Sequence, residues 1–271
     1  MIIAIDIGGT KTLVAICSMD NKIIAQQRFD TPNDYYEFLQ TIDKNLKLLK
    51  TKDAAITVVA VPGKLDRKNG IGLAMGNLLW QNVPIAQDIA KLTNTAVIIE
   101  NDANLAGLSE THLLHPIPKK SLYITVSTGI GTGIITNGYI NSTLADSEGG
   151  SLLMLHNGHL AKWESFASGH AIIATYGQRA SELNDKNAWK VISKDLALGI
   201  VNLCAIIQPD VIIIGGGVGT HFDKYRDYLQ ADIAIIKPPL VYVPQLVKAQ
   251  APEEAVIYGC IQLAKQHDQH R

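Results

Sequence analysis

The sequence predicts an α/β protein made of two related halves. Three observations carry this. Buried-strand patterns alternate with amphipathic-helix patterns, a strand, glycine turn, strand plan occurs twice, and the two turns lie roughly 120 residues apart. Apolar, β-branched runs at Ile2–Ile7, Leu13–Ser18, Ile56–Val61, Val97–Ile99, Leu122–Ser127 and Val211–Ile214 read as buried strands. Between them, Tyr35, Phe38, Leu39, Ile42, Leu46 and Leu49 recur at helical spacing, and so do Trp189, Ile192, Leu196, Ile200 and Leu203. Pro252 before Glu253 and Glu254 predicts the first turn of a last helix reaching about Gln266. Proline lacks the amide that such a turn leaves unpaired, and acids favour that end of the dipole.

The repeated plan occupies Ile2–Ile16 and Leu122–Gly138, and each hairpin turn is expected to face a cleft between the halves. The expected domains are 1–112, completed by a helix over 252–267, and 113–251. The boundary is placed between Leu105 and Lys120, near Pro116 and Pro118.

The chain has 271 residues, 47% hydrophobic and 18% charged, which excludes a disordered protein. Lys+Arg 24 against Asp+Glu 25 gives a net charge of −1, so no general basic field draws it to nucleic acid or anionic lipid. Phosphate binding must then be local. Cys17, Cys204 and Cys260 are far apart and form no CxxC pair, so free thiols in a cytoplasmic protein are expected. The start MIIAIDIGG is not a signal peptide, and the longest apolar or glycine run, Val211–Gly219, is far below the roughly 18 residues of a membrane span.

Consecutive amides in a glycine turn can cradle phosphate oxygens without formal charge. Asp6-Ile-Gly8-Gly9-Thr10-Lys11 has that form, as do Thr128-Gly129-Ile130-Gly131-Thr132-Gly133 and Gly215-Gly216-Gly217-Val218-Gly219. For the first turn alone, a plain β-hairpin explains the residues as well; three such loops point to a nucleotide. No Walker, dinucleotide or protein-kinase signature is present. Asp6, at a strand end beside the first turn, can hold Mg²⁺ through water, or merely bond its own turn; Lys11 can be a solvated charge.

Glu100-Asn101-Asp102-Ala103-Asn104 follows a strand and opens a helix. One residue suffices for a cap, and this stretch is expected to aim two acids and two amides at one place. Glu148, Glu164 and Asn77 are further candidates for a polyhydroxylated ligand, although each singly fits a surface residue. His156 and His159 read as loop residues, since two ligands make no zinc site. Trp80, Trp163 and Trp189 read as packing residues.

Together these residues resemble the sugar kinases of the ROK family (repressor, open reading frame, kinase) in the actin-like ATPase superfamily. Asp6–Lys11 matches DIGGTK, Val61-Pro62-Gly63 with Asp66 matches VPGxxD, and Gly76–Trp80 is similar to PNLxxW. Glu100–Asn104 reproduces ENDAN, Ser127–Gly133 reproduces STGIGxG, and Gly215–Val218 resembles the adenosine-side GGG. The resemblance implies a two-domain actin-like ATPase (ribonuclease H-like) fold and transfer of the γ-phosphoryl of Mg-ATP to a hexose hydroxyl, commonly on C6. By it, Asp102 is the general base, and Gly63, Asn77, Asn101, Glu148, Ser151 and Glu164 join it around the sugar. Asp6, Gly8, Gly9, Thr10, Lys11, Thr128, Gly129, Gly131, Thr132, Gly215, Gly216 and Gly217 fall to ATP, with Mg²⁺ near Asp6.

There are two departures. Ser151 stands where the E-x-G-H motif has histidine, and His156–Lys162 replaces the CxCGxxGC element, so no structural zinc is expected. The short loop is also similar to that of the family's polyphosphate-using glucokinases. Glucose is the first-choice substrate, with mannose, fructose and N-acetylhexosamines as alternatives, and a homodimer is implied. The rival reading is a non-catalytic sugar-binding regulator. Family repressors carry a helix-turn-helix ahead of the sugar-binding part, whereas here a strand begins at Ile2.

Overall fold

The structure is a computed structural model that describes residues 1–49 and 53–269. Its contacts divide the chain into Met1–Ser109 with the segment from Glu254 onward, and Glu110–Glu253.

The first unit opens with β1 (Ile2–Ile7), β2 (Lys11–Cys17) and β3 (Ile23–Asp30), an antiparallel meander. After α1 (Tyr35–Leu49), β4 (Ile56–Val61) pairs parallel with β1. A small antiparallel sheet follows, of β5 (Lys64–Asp66), β6 (Ile71–Ala74) and β7 (Gln81–Val83). Then come α2 (Ile85–Thr93), β8 (Ala96–Asn101), parallel to β4, and α3 (Asp102–His112). The main sheet order is β3-β2-β1-β4-β8.

Strand alternation divides the two faces of this sheet. Ile3, Ile5 and Ile7 join a core with Phe38, Ile42 and Leu46 of α1 and Ile85 and Ile89 of α2. Asp6 therefore lies on the opposite face. Trp80 belongs to the core and donates from Nε1 to Asn33 O at 2.8 Å.

The second unit repeats the plan. β9 (Lys120–Val126), β10 (Ile130–Thr136) and β11 (Tyr139–Ile140) form the antiparallel meander. β12 (Leu153–His156) and β13 (His159–Lys162) form a separate hairpin, followed by α4 (Trp163–Ala167), α5 (Gly169–Tyr176) and α6 (Lys186–Ile207). β14 (Val211–Gly215) then pairs parallel with β9, and after α7 (Gly216–Gly219) and α8 (Arg226–Ile236), β15 (Leu246–Lys248) pairs parallel with β14. The order is β11-β10-β9-β14-β15, the same succession as in the first unit. Trp163 is buried in its core against Gly199 of α6, and Trp189, on α6 itself, stacks on Tyr225 at a centroid distance of 5.3 Å.

Two local expectations are corrected. His156 and His159 are not loop residues: they face each other across β12–β13, and the Asn157-Gly158 turn between them has φ of +50° and +81°. That dipeptide suits the backbone twist of a two-residue hairpin. The last helix, α9 (Ala255–Gln269), begins after Pro252 rather than at it. The Glu110 carboxylate accepts the Gln250 and Ala251 N–H groups at 2.7 and 2.8 Å, and the first helical bond is Tyr258 N–H to Glu254 O at 3.0 Å. Pro252–Glu254 therefore form a turn, and α9 packs on β1 and β4 of the first unit. No described helix is long and apolar enough to cross a membrane.

Candidate active site

In the first unit the β1–β2 turn is closed by Gly8 N–H donating to Lys11 O at 2.9 Å. Thr31 holds it from behind. Its N–H donates to Thr10 O at 3.0 Å, its hydroxyl donates to Gly8 O at 2.9 Å, and Thr12 Oγ1 lies 2.8 Å from Thr31 Oγ1. Neither threonine is signalled by the motif, because Thr31 lies outside the turn and reaches it only through β-pairing. Lys11 is exposed and forms an ion pair with Asp30 across β2–β3. Asn77 sits beside the turn, where a Cβ at Gly9 would lie 3.3 Å from its own.

The junction of β8 and α3 sorts the four polar side chains that the sequence groups together. Glu100 is buried, and its Oε1 accepts the Asn101 N–H at 2.7 Å and Asn104 Nδ2 at 2.9 Å. Arg67 adds two further bonds, Nε to Oε2 at 2.8 Å and Nη2 to Oε1 at 2.6 Å. Glu100 and Asn104 are thus turned into the fold and do not join a common ligand site, because a dry carboxylate must be fully partnered. Arg67 is the partner that sequence reading missed. The only local signal was a buried acid without an obvious counter-charge.

Asn101 is the cap of α3, its Oδ1 accepting from Ala103 N–H at 2.9 Å and Asn104 N–H at 3.3 Å, while its Nδ2 reaches Gly63 O at 3.4 Å. Asp102 accepts Ala103 N–H on Oδ1 at 2.9 Å. Among the described residues its Oδ2 has no hydrogen-bond partner.

Burial, and next the charge of Asp102, push the Asp6 carboxyl up to about 7, while Arg28 pulls it down. Burial pushes Asp102 up to about 6 against the Ala103 amide and its own. Two acids that resist joint ionisation favour a proton or a cation between their charges. No cluster of three or more His, Cys, Asp or Glu able to hold a metal occurs among the described residues. The Asp6 and Asp102 carboxylates fit Mg²⁺, which retains waters and takes one or two carboxylates plus phosphate oxygens.

In the second unit the residues assigned to sugar and those assigned to nucleotide meet at the β9–β10 turn. The Glu164 carboxylate faces Gly129, and Ile130 N–H points to its Oε2 at 3.5 Å. The Glu148-Gly149-Gly150 segment lies against the same strand. A Cβ on Gly150 would come within 2.1 Å of Ile130 O, so glycine is required there, and Ser151 follows at the end of this turn. The Thr132 hydroxyl is buried, donates to Ser147 O and accepts Gly149 N–H, both at 3.1 Å. The hydroxyl is therefore engaged inside the unit, tying β10 to the Glu148 segment. Gly131 lies within β10.

The Ser127 and Thr128 carbonyls accept the first amides of α5, from Gly169 at 2.6 Å and His170 at 3.3 Å. Around this junction lies a pocket of 340 Å³ lined by Ser127, Thr128, His170, Arg179, Ser181 and Gly217, among others. It unites the second and third glycine loops and adds His170, Arg179 and Ser181, which no motif marked. A larger pocket of 490 Å³, among β12–β13, α5 and α6, contains none of the expected ligands; in it His156 pairs with Asp195 at 3.2 Å and stacks on Phe166.

Comparison with known proteins places residues 2–267 in the ROK family. The glucokinase of Thermotoga maritima is 26% identical, over 98% of this chain and 97% of that protein. An N-acetylmannosamine kinase of Vibrio cholerae serotype O1 is 29% identical, over 95% of this chain and 96% of its own. The crystal structure of a ROK family glucokinase from Streptomyces griseus, in complex with glucose and AMPPNP, superposes with a TM-score of 0.82 at 21% identity, covering 97% and 99% of the two chains. The fold is the two-domain actin-like ATPase fold, and the chain belongs to the ROK family.

Proposed function

We propose that this protein is a sugar kinase that transfers the γ-phosphoryl group of Mg-ATP to a hexose hydroxyl, with the 6-hydroxyl of glucose as first choice. The observation that carries the reading is Asp102. It is a carboxylate at the first turn of α3 with one oxygen outside the internal hydrogen bonds and a pKa raised to about 6, while its neighbours Glu100 and Asn104 are tied together. A base poised near working pH is what removal of a hydroxyl proton requires, and such groups contribute about 10²–10⁴ in rate.

Phosphoryl transfer otherwise needs positioning and neutralised charge. The amides of Gly9, Thr10 and Gly129 are donors for phosphate oxygens, the Gly8 amide being spent on closing its own turn. Asp6 would hold Mg²⁺ through water, and the ion, when bound, neutralises phosphate charge. The 340 Å³ pocket has the size for a nucleoside, with Gly217 in its lining. Asn101, with Gly63 behind it, Asn77, Glu148, Ser151 and Glu164 are the sugar ligands. The relatives named for glucose and for N-acetylmannosamine match at similar identity, so the C2 substituent is left to measurement.

The test is ADP release with a panel of glucose, mannose, fructose, N-acetylglucosamine and N-acetylmannosamine, run with ATP and with polyphosphate. Glucose-dependent ADP release that Asp102→Asn lowers at least about 100-fold is expected. Equal rates in the two proteins would remove the base assignment, and no turnover with any hexose would favour the non-catalytic sugar binder.

A further inference from the structure

The turn between β5 and β6 is closed by the Asp66 carboxylate, which accepts both Asn69 N–H, at 3.0 Å, and Asn69 Nδ2, at 2.7 Å. From this turn Arg67 places its fork on Glu100, one donor to each oxygen. The Glu100 side chain is only 8% exposed, so its oxygens must find their partners inside the fold. Its Oε1 in turn holds the backbone N–H of Asn101 and the side-chain amide of Asn104, the residues on either side of the 102–103 pair. The direction of the first turn of α3, and with it the Asp102 carboxyl, therefore depends on a buried acid whose own plane is set by a guanidinium. Only a planar fork fixes that plane; an ammonium would satisfy the charge and leave the carboxylate free to rotate.

We infer that Arg67 is a positioning residue for phosphoryl transfer, aiming Asp102 by clamping Glu100. The inference rests on the reading of Asp102 as the base.

The experiment uses the full chain with Mg-ATP and the hexose of highest turnover in the panel. Kinetics and Tm are measured for Arg67→Gln, Arg67→Lys, Arg67→Ala, Glu100→Gln, the Arg67→Gln/Glu100→Gln double variant and Asp102→Asn. Arg67→Gln is expected to lower kcat about 10- to 100-fold with both KM values within about threefold, as for other outer residues that orient a reactive group. Added methylguanidinium should restore part of the kcat of Arg67→Ala. Glu100→Gln should add almost nothing on top of Arg67→Gln, because the two act as one unit.

A kcat within about twofold of wild type for Arg67→Gln would overturn the inference. So would a loss that merely follows a falling Tm without guanidinium rescue, or effects of the two substitutions that multiply. If Arg67→Gln does not fold, Arg67→Lys decides: reduced kcat at unchanged KM is expected, and wild-type kcat overturns it. Asp102→Asn separates the two claims. Full turnover there removes the base itself, whereas an inactive Asp102→Asn beside a normal Arg67→Gln removes only the role of Arg67.

Discussion

The two glycine turns, at β1–β2 and at β9–β10, occupy the same place in sheets of the same strand order, yet their surroundings differ in chemistry. The first has Asp6 and Asp102 near it, both with raised pKa values, and is braced by Thr12 and Thr31. The second has the Glu164 carboxylate against its amides, and its carbonyls are engaged by α5 beside a pocket lined by Arg179 and His170. A repeated fold thus supplies two similar backbone cradles, and under the proposed function the side chains around them would divide the work: proton and metal chemistry in the first unit, ligand placement in the second.

The largest expected effect tests this division. Asp102→Asn should lower kcat by about 10²–10⁴, whereas Glu164→Gln should act mainly on KM for the sugar, raising it about tenfold. Steady-state kinetics with varied sugar distinguishes them, and a kcat loss of equal size at Glu164 would break the comparison.

The third glycine loop offers a sharper contrast within the second unit. Gly216 has φ +78°, and a Cβ there would lie 2.5 Å from Thr125 Oγ1 and 2.6 Å from Val126 O, while a Cβ on Gly217 meets nothing within 4 Å. Gly216→Ala should cost about 1–3 kcal/mol of stability, seen in urea unfolding. Gly217→Ala should leave stability within about 0.5 kcal/mol and instead raise KM for ATP, since this residue lines the pocket.

A smaller effect follows from the raised acid of the first unit. A carboxyl held at about 6 in the folded state against an ordinary 3.8 favours folding below pH 4, and that stability is lost as pH rises through 6. Asp102→Asn cannot ionise and should therefore exceed wild type in stability at pH 8 by about 1–2 kcal/mol, discounted for its partial exposure, and match it at pH 4. Chemical denaturation at the two pH values checks this; no gain at pH 8 would mean that Asp102 is not desolvated. The smallest expected effect is Thr31→Val, about 1 kcal/mol of stability from the lost bond to Gly8 O, measured by urea unfolding.

Much of this molecule was legible before any coordinates. The strands Ile2–Ile7 and Ile56–Val61 and the helix through Tyr35 and Leu49 are local patterns of burial, and the glycine turns are local demands of backbone geometry. The polar cluster Glu100–Asn104 stands out in the sequence because it follows a strand and opens a helix, and Asp102 is singled out within it by the resemblance to ENDAN. What tertiary structure alone decided is which polar groups remain for chemistry. Glu100 and Asp102 are indistinguishable as letters, but Arg67, from another sheet, takes Glu100 into the fold. The Thr132 hydroxyl, in a glycine-rich loop of the sequence, is bonded by Ser147 and Gly149 in the fold. Periodicity and turn chemistry depend on neighbours in the chain, whereas the satisfaction of a buried polar group depends on partners brought up from far along it, and only folding selects those.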